Sequence, residues 1–171
     1  FRLLGDIPDS AGIHNAGTLR FAPDGTLLVS VGDDAKACQA QDLASPLGKI
    51  LRLDVSAMPQ PGPGPPPLAD LVPSDNPFPG TGWTPLVYAW GLRNPFRFDV
   101  DPATSDLLIG NVGSHLFEEI EVVPAGTPGL NFGWPQFEAT APLGCCGPCG
   151  QGHVFTFPIH VIPHPVGVIS V

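Results

Sequence analysis

The chain has 171 residues and a formal charge of −9, from 7 Lys and Arg against 16 Asp and Glu. That balance argues against a nucleic-acid or anionic-membrane ligand, because phosphate binding needs clustered Lys and Arg. With 13% charged residues, 21 Gly and 23 Pro, corners and short strands are expected rather than long helices, and no apolar run reaches the roughly 20 residues that span a bilayer.

Residues 1–16 read as an irregular lead-in carrying Asp9, Ser10 and His14. No initiator Met and no signal segment come before the strand pattern, so the chain is expected to be a piece of a longer protein. Thr18–Ala22 and Thr26–Gly32 are expected to form a hairpin around Pro23-Asp24-Gly25. Asp33–Pro46 reads as a polar loop, and Lys49–Val55 as a strand with Ile50, Leu51 and Leu53 apolar. Ala57–Trp83 is a Pro/Gly-rich insertion that cannot make a regular ladder. It is expected on the surface, as a plain loop or as a lid or rim over a site. Leu86–Trp90, Pro95–Val100, Asp106–Asn111, Glu119–Val123 and Phe155–Ile162 are the remaining expected strands.

The stretch L-R-F-A-P-D-G-T-L-L-V-S-V-G echoes F-D-V-D-P-A-T-S-D-L-L-I-G-N-V-G. The offset is about twice the roughly 40 residues of a four-stranded propeller blade. The fold class expected is therefore all-β, a partial β-propeller of about three blades filling the whole chain.

Polar residues gather at the corners. Gly91-Leu92-Arg93-Asn94-Pro95 sets a guanidinium beside a carboxamide, and an Arg fork suits a carboxylate or a dense set of oxygens. Gly113 permits close backbone approach or a positive φ. Glu118 and Glu119 should point to opposite faces of a strand. A neutral His14 suits general-base work near pH 7. The hairpin brings the chain before its first strand towards the end of its second, so Asp33 can reach His14, orient it and favour its protonated form. On the residues alone, His14 reads first as a loop residue bonded to backbone, and Arg93 also as a corner cation paired with an acid. His115, His153, His160 and His164 show no partner spacing, and Pro163 and Pro165 oppose a helix that would align His160 with His164. Cys38, Cys145, Cys146 and Cys149 fit two disulfides in three connectivities, a metal site with Cys38 or His153 as fourth donor, or free thiols. Disulfides would imply an oxidising compartment.

Five motifs stand in order: I-H-N-A-G-T-L-R-F from Ile13, L-G-K-I-L-R-L-D from Leu47, G-L-R-N-P-F from Gly91, N-V-G-S-x-x-x-E-E-I from Asn111 and N-F-G-W-P from Asn131. Over about residues 12–138 they resemble the soluble quinoprotein glucose/sorbosone dehydrogenase family, which includes aldose sugar dehydrogenases and hedgehog-interacting-protein-like propellers. The resemblance implies a six-bladed propeller. It implies His14 as the base that takes the proton of an aldose C1 hydroxyl while hydride passes to pyrroloquinoline quinone (PQQ), giving the lactone. It implies Asp33 as the support of His14, and Arg93 and Asn94 as contacts to the quinone. It implies backbone carbonyls of the 111–114 loop, Gly113 and Ser114 among them, as ligands of the cofactor's calcium. Glu119 and the Phe132 carbonyl match a second, structural calcium site.

Departures from the pattern are Ala16 for a frequent Gly, Ser114 for Pro or Gln, and Phe132 for Tyr. Trp134 and Phe132 are expected to pack between blades. The family's Gln contact would lie before Phe1, and its Lys/Arg clamp on the quinone after Val171. The isolated chain is therefore expected to be inactive and to expose blade edges. The implied partners are a sugar and an electron acceptor, with room for a homodimer, and the implied location is periplasmic or secreted. Two other readings stand beside this one. In a hedgehog-interacting-protein-like binder, His14 and Arg93 are remnants and surface loops hold a protein partner. A lactonase-type calcium propeller would need more acidic and Asn ligands than the chain offers.

Overall fold

The computed structural model describes residues 2–57, 64–144 and 153–164. Pro23-Asp24-Gly25 turns β1 (Leu19–Phe21) into β2 (Leu27–Val31), with Leu19 opposite Val29. Asp24 Oδ1 accepts from the Thr26 amide at 2.9 Å and its hydroxyl at 2.7 Å, so the turn carries its own lock. β2 pairs antiparallel with β3 (Lys49–Leu53), and β3 with β4 (Val87–Trp90), giving the order β1-β2-β3-β4.

The corner at 91–94 leads into β5 (Pro95–Val100), β6 (Leu107–Asn111) and β7 (Phe117–Val123). A small hairpin of β8 (Phe137–Glu138) and β9 (Ala141–Pro142) follows, and β10 (His160–Pro163) returns to pair with β7. The second sheet therefore runs β5-β6-β7-β10. The described residues thus hold two four-stranded blades and a two-stranded sheet, where the sequence suggested about three blades. The first strands of the two sheets are linked where Arg20 Nε donates to Asp99 Oδ1 at 3.2 Å and Thr18 Oγ1, just before β1, donates to the Phe96 carbonyl at 2.9 Å.

Alternation along the strands builds two apolar layers. Leu28, Ile50 and Ala89 of the first sheet face Phe98, Leu107, Ile109 and Val123 of the second. Val29, Val31, Leu51, Leu53 and Val87 point the other way. Part of the Pro/Gly-rich insertion covers that outer face and does not wander over the surface. Leu71, on a short 3-10 helix (Leu68–Leu71), is 2% exposed, and Leu68, Val72, Phe78 and Trp83 pack beside it. The few aliphatic and aromatic residues of the segment decide its place, because burying them removes apolar surface from water.

Three other expectations shift. The polar loop at 33–46 contains a 3-10 helix (Ala37–Gln41). Lys49 pins it: fully buried, its Nζ donates to the carbonyls of Gln39, Ala40 and Leu47 at 3.0, 2.9 and 2.7 Å. Burial pushes this ammonium down to about 7, opposed by the charge of Asp42. β7 begins two residues earlier than expected, at Phe117. The strand expected over Phe155–Ile162 reduces to β10, with Phe155 making only an isolated bridge to Asn131. Pro158 lacks the amide donor a continuous ladder needs. Among the described residues no helix is long and apolar enough to cross a membrane.

Candidate functional site

The ends of β2 and β6, the start of β5 and the corner between the sheets meet at one end of the blades. Backbone bonds tie them: the Asp33 amide donates to the Arg93 carbonyl at 2.8 Å, and the Val112 amide to the Asn94 carbonyl at 3.0 Å.

His14 and Asp33, expected to approach each other, are in contact. His14 Nδ1 lies 2.7 Å from Asp33 Oδ1, with the side chains 17% and 1% exposed. The lead-in reaches this place through a left-handed kink, with φ of +57° at His14, +51° at Ala16 and +100° at Gly17. A Cβ at Gly32 would overlap the His14 carbonyl. Asp33 is held from three sides: Oδ1 also accepts from the Ala35 amide at 2.9 Å, and Oδ2 accepts from Trp134 Nε1 at 2.9 Å. With Nδ1 on the carboxylate, Nε2 is the ring nitrogen left for another molecule. A cavity of about 290 Å³ adjoins the imidazole, with Ile7, Pro8, Asp9 and Asn15 among its walls.

Asn94 and Arg93 sit beside this pair. Asn94 Oδ1 accepts from the Ala16 amide at 3.0 Å, linking the corner to the His14 segment. Asn111 Oδ1 accepts from the amides of Arg93 and Asn94 at 3.2 and 3.0 Å. The Arg93 guanidinium lies 5.5 Å from the centre of the Trp134 ring, and its Nη1 donates to the Val112 and Gly113 carbonyls. Among the described residues, Arg93 Nε and Nη2 make no recorded hydrogen bond, so the fork keeps donors for an anionic ligand. Burial lowers the guanidinium's pKa, opposed by Asp33, Glu138, Glu118 and Glu119.

The loop after β6 folds around a carboxylate from β8. Glu138 Oε1 accepts from the amides of Ser114, His115, Leu116 and Phe117 at 2.7 to 3.1 Å. Burial raises the Glu138 pKa, but these four donors outweigh it and leave it below the usual range. The loop's amides are thus spent on Glu138, and the Val112 and Gly113 carbonyls turn towards a cationic group. A Cβ at Gly113 would overlap the Phe117 carbonyl, so this close turn needs glycine.

Glu118 and Glu119 point to opposite faces, as expected. Glu118 Oε2 accepts from the Gly113 amide at 3.1 Å, and its Oε1 lies 2.8 Å from His164 Nε2. Glu119 accepts from Asn111 Nδ2 at 2.8 Å and from the Ala139 amide. Glu121 follows on the Glu119 face. It is fully buried, and among the described residues its carboxyl faces only that of Glu119, with no backbone or cationic donor. Burial first, then the charge of Glu119, pushes its pKa up to about 10.

These observations test the two implied groups. A divalent oxygen-seeking cation would suit the place beside Glu119, where two carboxyls, Glu119 and Glu121, are buried side by side with no cation paired to them among the described residues. Among the described residues no three His, Cys, Asp or Glu side chains cluster to hold a metal. Main-chain oxygens would therefore have to complete any calcium shell, and among the described residues no backbone amide outside the ladders donates to the carbonyls of Ser114 and Phe132. A carboxylate-bearing quinone fits the spare donors of Arg93.

Several contributors were not visible as such in the sequence. Trp134 was read as packing, yet it bonds Asp33. Glu138 and Glu121 carried no motif. His164 finds its acid across a ladder, not at a sequence spacing, and His115 Nδ1 lies 2.7 Å from Ser114 Oγ. Cys38 is not a free thiol. Cys145, Cys146 and Cys149 lie outside the described residues, so the choice among pairings stays open.

Comparison with known proteins gives these features a context. The chain is 34% identical over 165 residues to HIPL2 protein of Arabidopsis thaliana, covering 85% of this chain and 22% of that protein. It is 29% identical over 127 residues to aldose sugar dehydrogenase YliI of Escherichia coli K12, covering 74% and 30%. It thus spans between about a fifth and a third of these relatives. Among solved structures, the PQQ-bound aldose sugar dehydrogenase of Streptomyces coelicolor matches with a TM-score of 0.65 and 30% identity, covering 92% of this chain and 38% of that one. A putative oxidoreductase (glucose dehydrogenase) of Thermus thermophilus matches with a TM-score of 0.68 and 29% identity, covering 92% and 42%. Since the family model for glucose/sorbosone dehydrogenase matches residues 2–144, this partial β-propeller belongs to the glucose/sorbosone dehydrogenase family.

Proposed function

We propose that the protein containing this chain oxidises the C1 hydroxyl of an aldose to the lactone. The observation that carries this reading is the His14–Asp33 contact of 2.7 Å at the blade end where Arg93 and Asn94 also sit. His14 Nε2 accepts the hydroxyl proton. The buried Asp33 carboxylate stabilises the imidazolium that results. Arg93 offers its free donors to the cofactor's carboxylates or quinone oxygens, and Asn94 fixes the His14 segment through the Ala16 amide. Bound there, PQQ would supply the two-electron acceptor for the C1 hydride, and calcium the Lewis acid that polarises it. The Gly113 and Ser114 carbonyls are the proposed calcium ligands, and Glu119 and the Phe132 carbonyl those of a second calcium. A separate electron acceptor completes turnover. The proposed location is the periplasm or outside the cell, with Cys38 in a disulfide to one of the other three cysteines.

The 34% identity to HIPL2 protein favours a second reading, a non-catalytic hedgehog-interacting-protein-like propeller that binds a protein partner. One experiment separates the two: PQQ and calcium are titrated into the full-length protein and into His14→Ala, following quinone absorbance and dye reduction by aldoses. The dehydrogenase reading expects quinone binding in both and turnover about 10²- to 10⁴-fold lower in the variant. A folded, calcium-loaded protein that binds no quinone would sink that reading and leave the binder.

A further inference from the structure

Trp134 touches both halves of the site through different parts of one side chain. Its indole N–H donates to Asp33 Oδ2 at 2.9 Å, across 101 residues of sequence, and its ring lies 5.5 Å from the Arg93 guanidinium. The backbone beneath it is fixed independently. The Trp134 amide donates to the Gly91 carbonyl at 2.9 Å, and Gln41 Nε2 donates to the Trp134 carbonyl at 2.6 Å. Gln41 and Asn131 exchange side-chain hydrogen bonds of 3.0 and 2.9 Å, and Asn131 Oδ1 also accepts from the Gly133 amide at 3.0 Å. Three segments thus aim this indole: the 3-10 helix at 37–41, the corner at 91 and the chain at 131–134. A residue that merely filled space would need neither the directed N–H nor so many backbone anchors.

We propose that Trp134 is a positioning residue that holds the Asp33 carboxylate in the orientation selecting the Nδ1–H form of His14, while its ring face keeps the Arg93 guanidinium in place. The inference rests on the reading of His14 as the proton acceptor. A carboxylate bonded through only one oxygen can rotate. With Oδ2 held by the indole and Oδ1 by the Ala35 amide, Oδ1 stays on His14 Nδ1. Which imidazole nitrogen carries the proton follows from the partner of the other nitrogen, so the indole decides, through Asp33, that Nε2 is free to accept. Trp134 touches no reacting atom, and its effect passes through Asp33 and Arg93.

The test is nitrogen-15 NMR of His14 in the full-length protein, wild type against Trp134→Phe, which keeps a ring over Arg93 and removes only the donor. The Nδ1–H tautomer is expected in the wild type, and a shift towards Nε2–H in the variant. With sugar and cofactor, kcat should fall about tenfold with KM little changed, because proton acceptance is misaligned while binding is kept. Trp134→Leu, which also strips the ring from Arg93, should in addition weaken quinone binding. A folded Trp134→Phe with the wild-type tautomer would overturn the proposal. Should the variant fail to fold, the wild-type indole proton decides: slow exchange with water supports the bond to Asp33, and fast exchange overturns it. A protein that oxidises no sugar but shows the tautomer shift would refute the dehydrogenase reading and leave the positioning role standing.

Discussion

Gly32 packs so tightly under the His14 carbonyl, with Asn94 Oδ1 close behind, that one added methyl group has nowhere to go. Gly32→Ala should therefore displace the His14 segment and part Nδ1 from Asp33. We expect about 1–3 kcal/mol of lost stability in thermal melts and loss of most sugar-dependent dye reduction. The neighbouring Ala16 holds a φ of +51°, which explains in physical terms why the family often places Gly there. At this scale the sequence showed His14 and Asp33 well, because hairpin register alone brings them together. Trp134 was hidden because its partner lies 101 residues away and nothing local marks an indole as a donor. Glu121 was hidden for another reason: a carboxyl on a strand face looks like a solvated residue until the packing beside it is known.

Among the elements, the turn between β1 and β2 binds the first blade to its insertion. Arg52 on β3 reaches Asp24 at 2.6 Å and Asp75 at 2.8 Å, and its remaining donors go to Thr26 and Asn76. Burial raises the Asp24 pKa, but the bonds from Thr26 and Arg52 outweigh it and bring it from 3.8 down to about 2. The folded state thus holds the Asp24 proton less tightly than the unfolded chain. Its stabilising contribution is complete above about pH 4 and is lost as pH falls towards about 2. Thermal melts from pH 5 to pH 2 should fall more steeply in the wild type than in Asp24→Asn. Pro23-Asp24-Gly25 was legible as a turn because Asp and Gly there have a mechanism. Sequence reading also found the strands β1 to β7 to within a few residues, but it made β10 too long because Phe155 to Phe157 look strand-like while Pro158 breaks the ladder. The hairpin of β8 and β9 is two residues a side, too short to leave a period.

For the molecule as a whole, the layer between the blades decides whether the site exists. His14 lies just before the first sheet and Asp33 just after its second strand, Arg93 on the corner between sheets, and Glu119 in the second sheet, so docking of Leu28, Ile50 and Ala89 against Phe98, Leu107 and Ile109 sets their spacing. Phe98→Ala should cost about 3–5 kcal/mol in chemical denaturation and weaken calcium and quinone binding without touching either ligand. The propeller class was legible because the internal echo reports a repeat. The number of complete blades was not, since the described parts of the insertion and of the stretch from 124 to 159 add chain without adding long strands.

The insertion has one more consequence. It enters the first blade between β3 and β4, so a chain broken within it would divide that blade, with β1 to β3 on one piece and β4 to β10 on the other. His14 and Asp33 would travel with the first piece, Arg93 and Trp134 with the second. Neither piece alone could bring His14 and Asp33 to Arg93 and Trp134, and the β3–β4 ladder would become the seam of a split protein whose signal counts reunions.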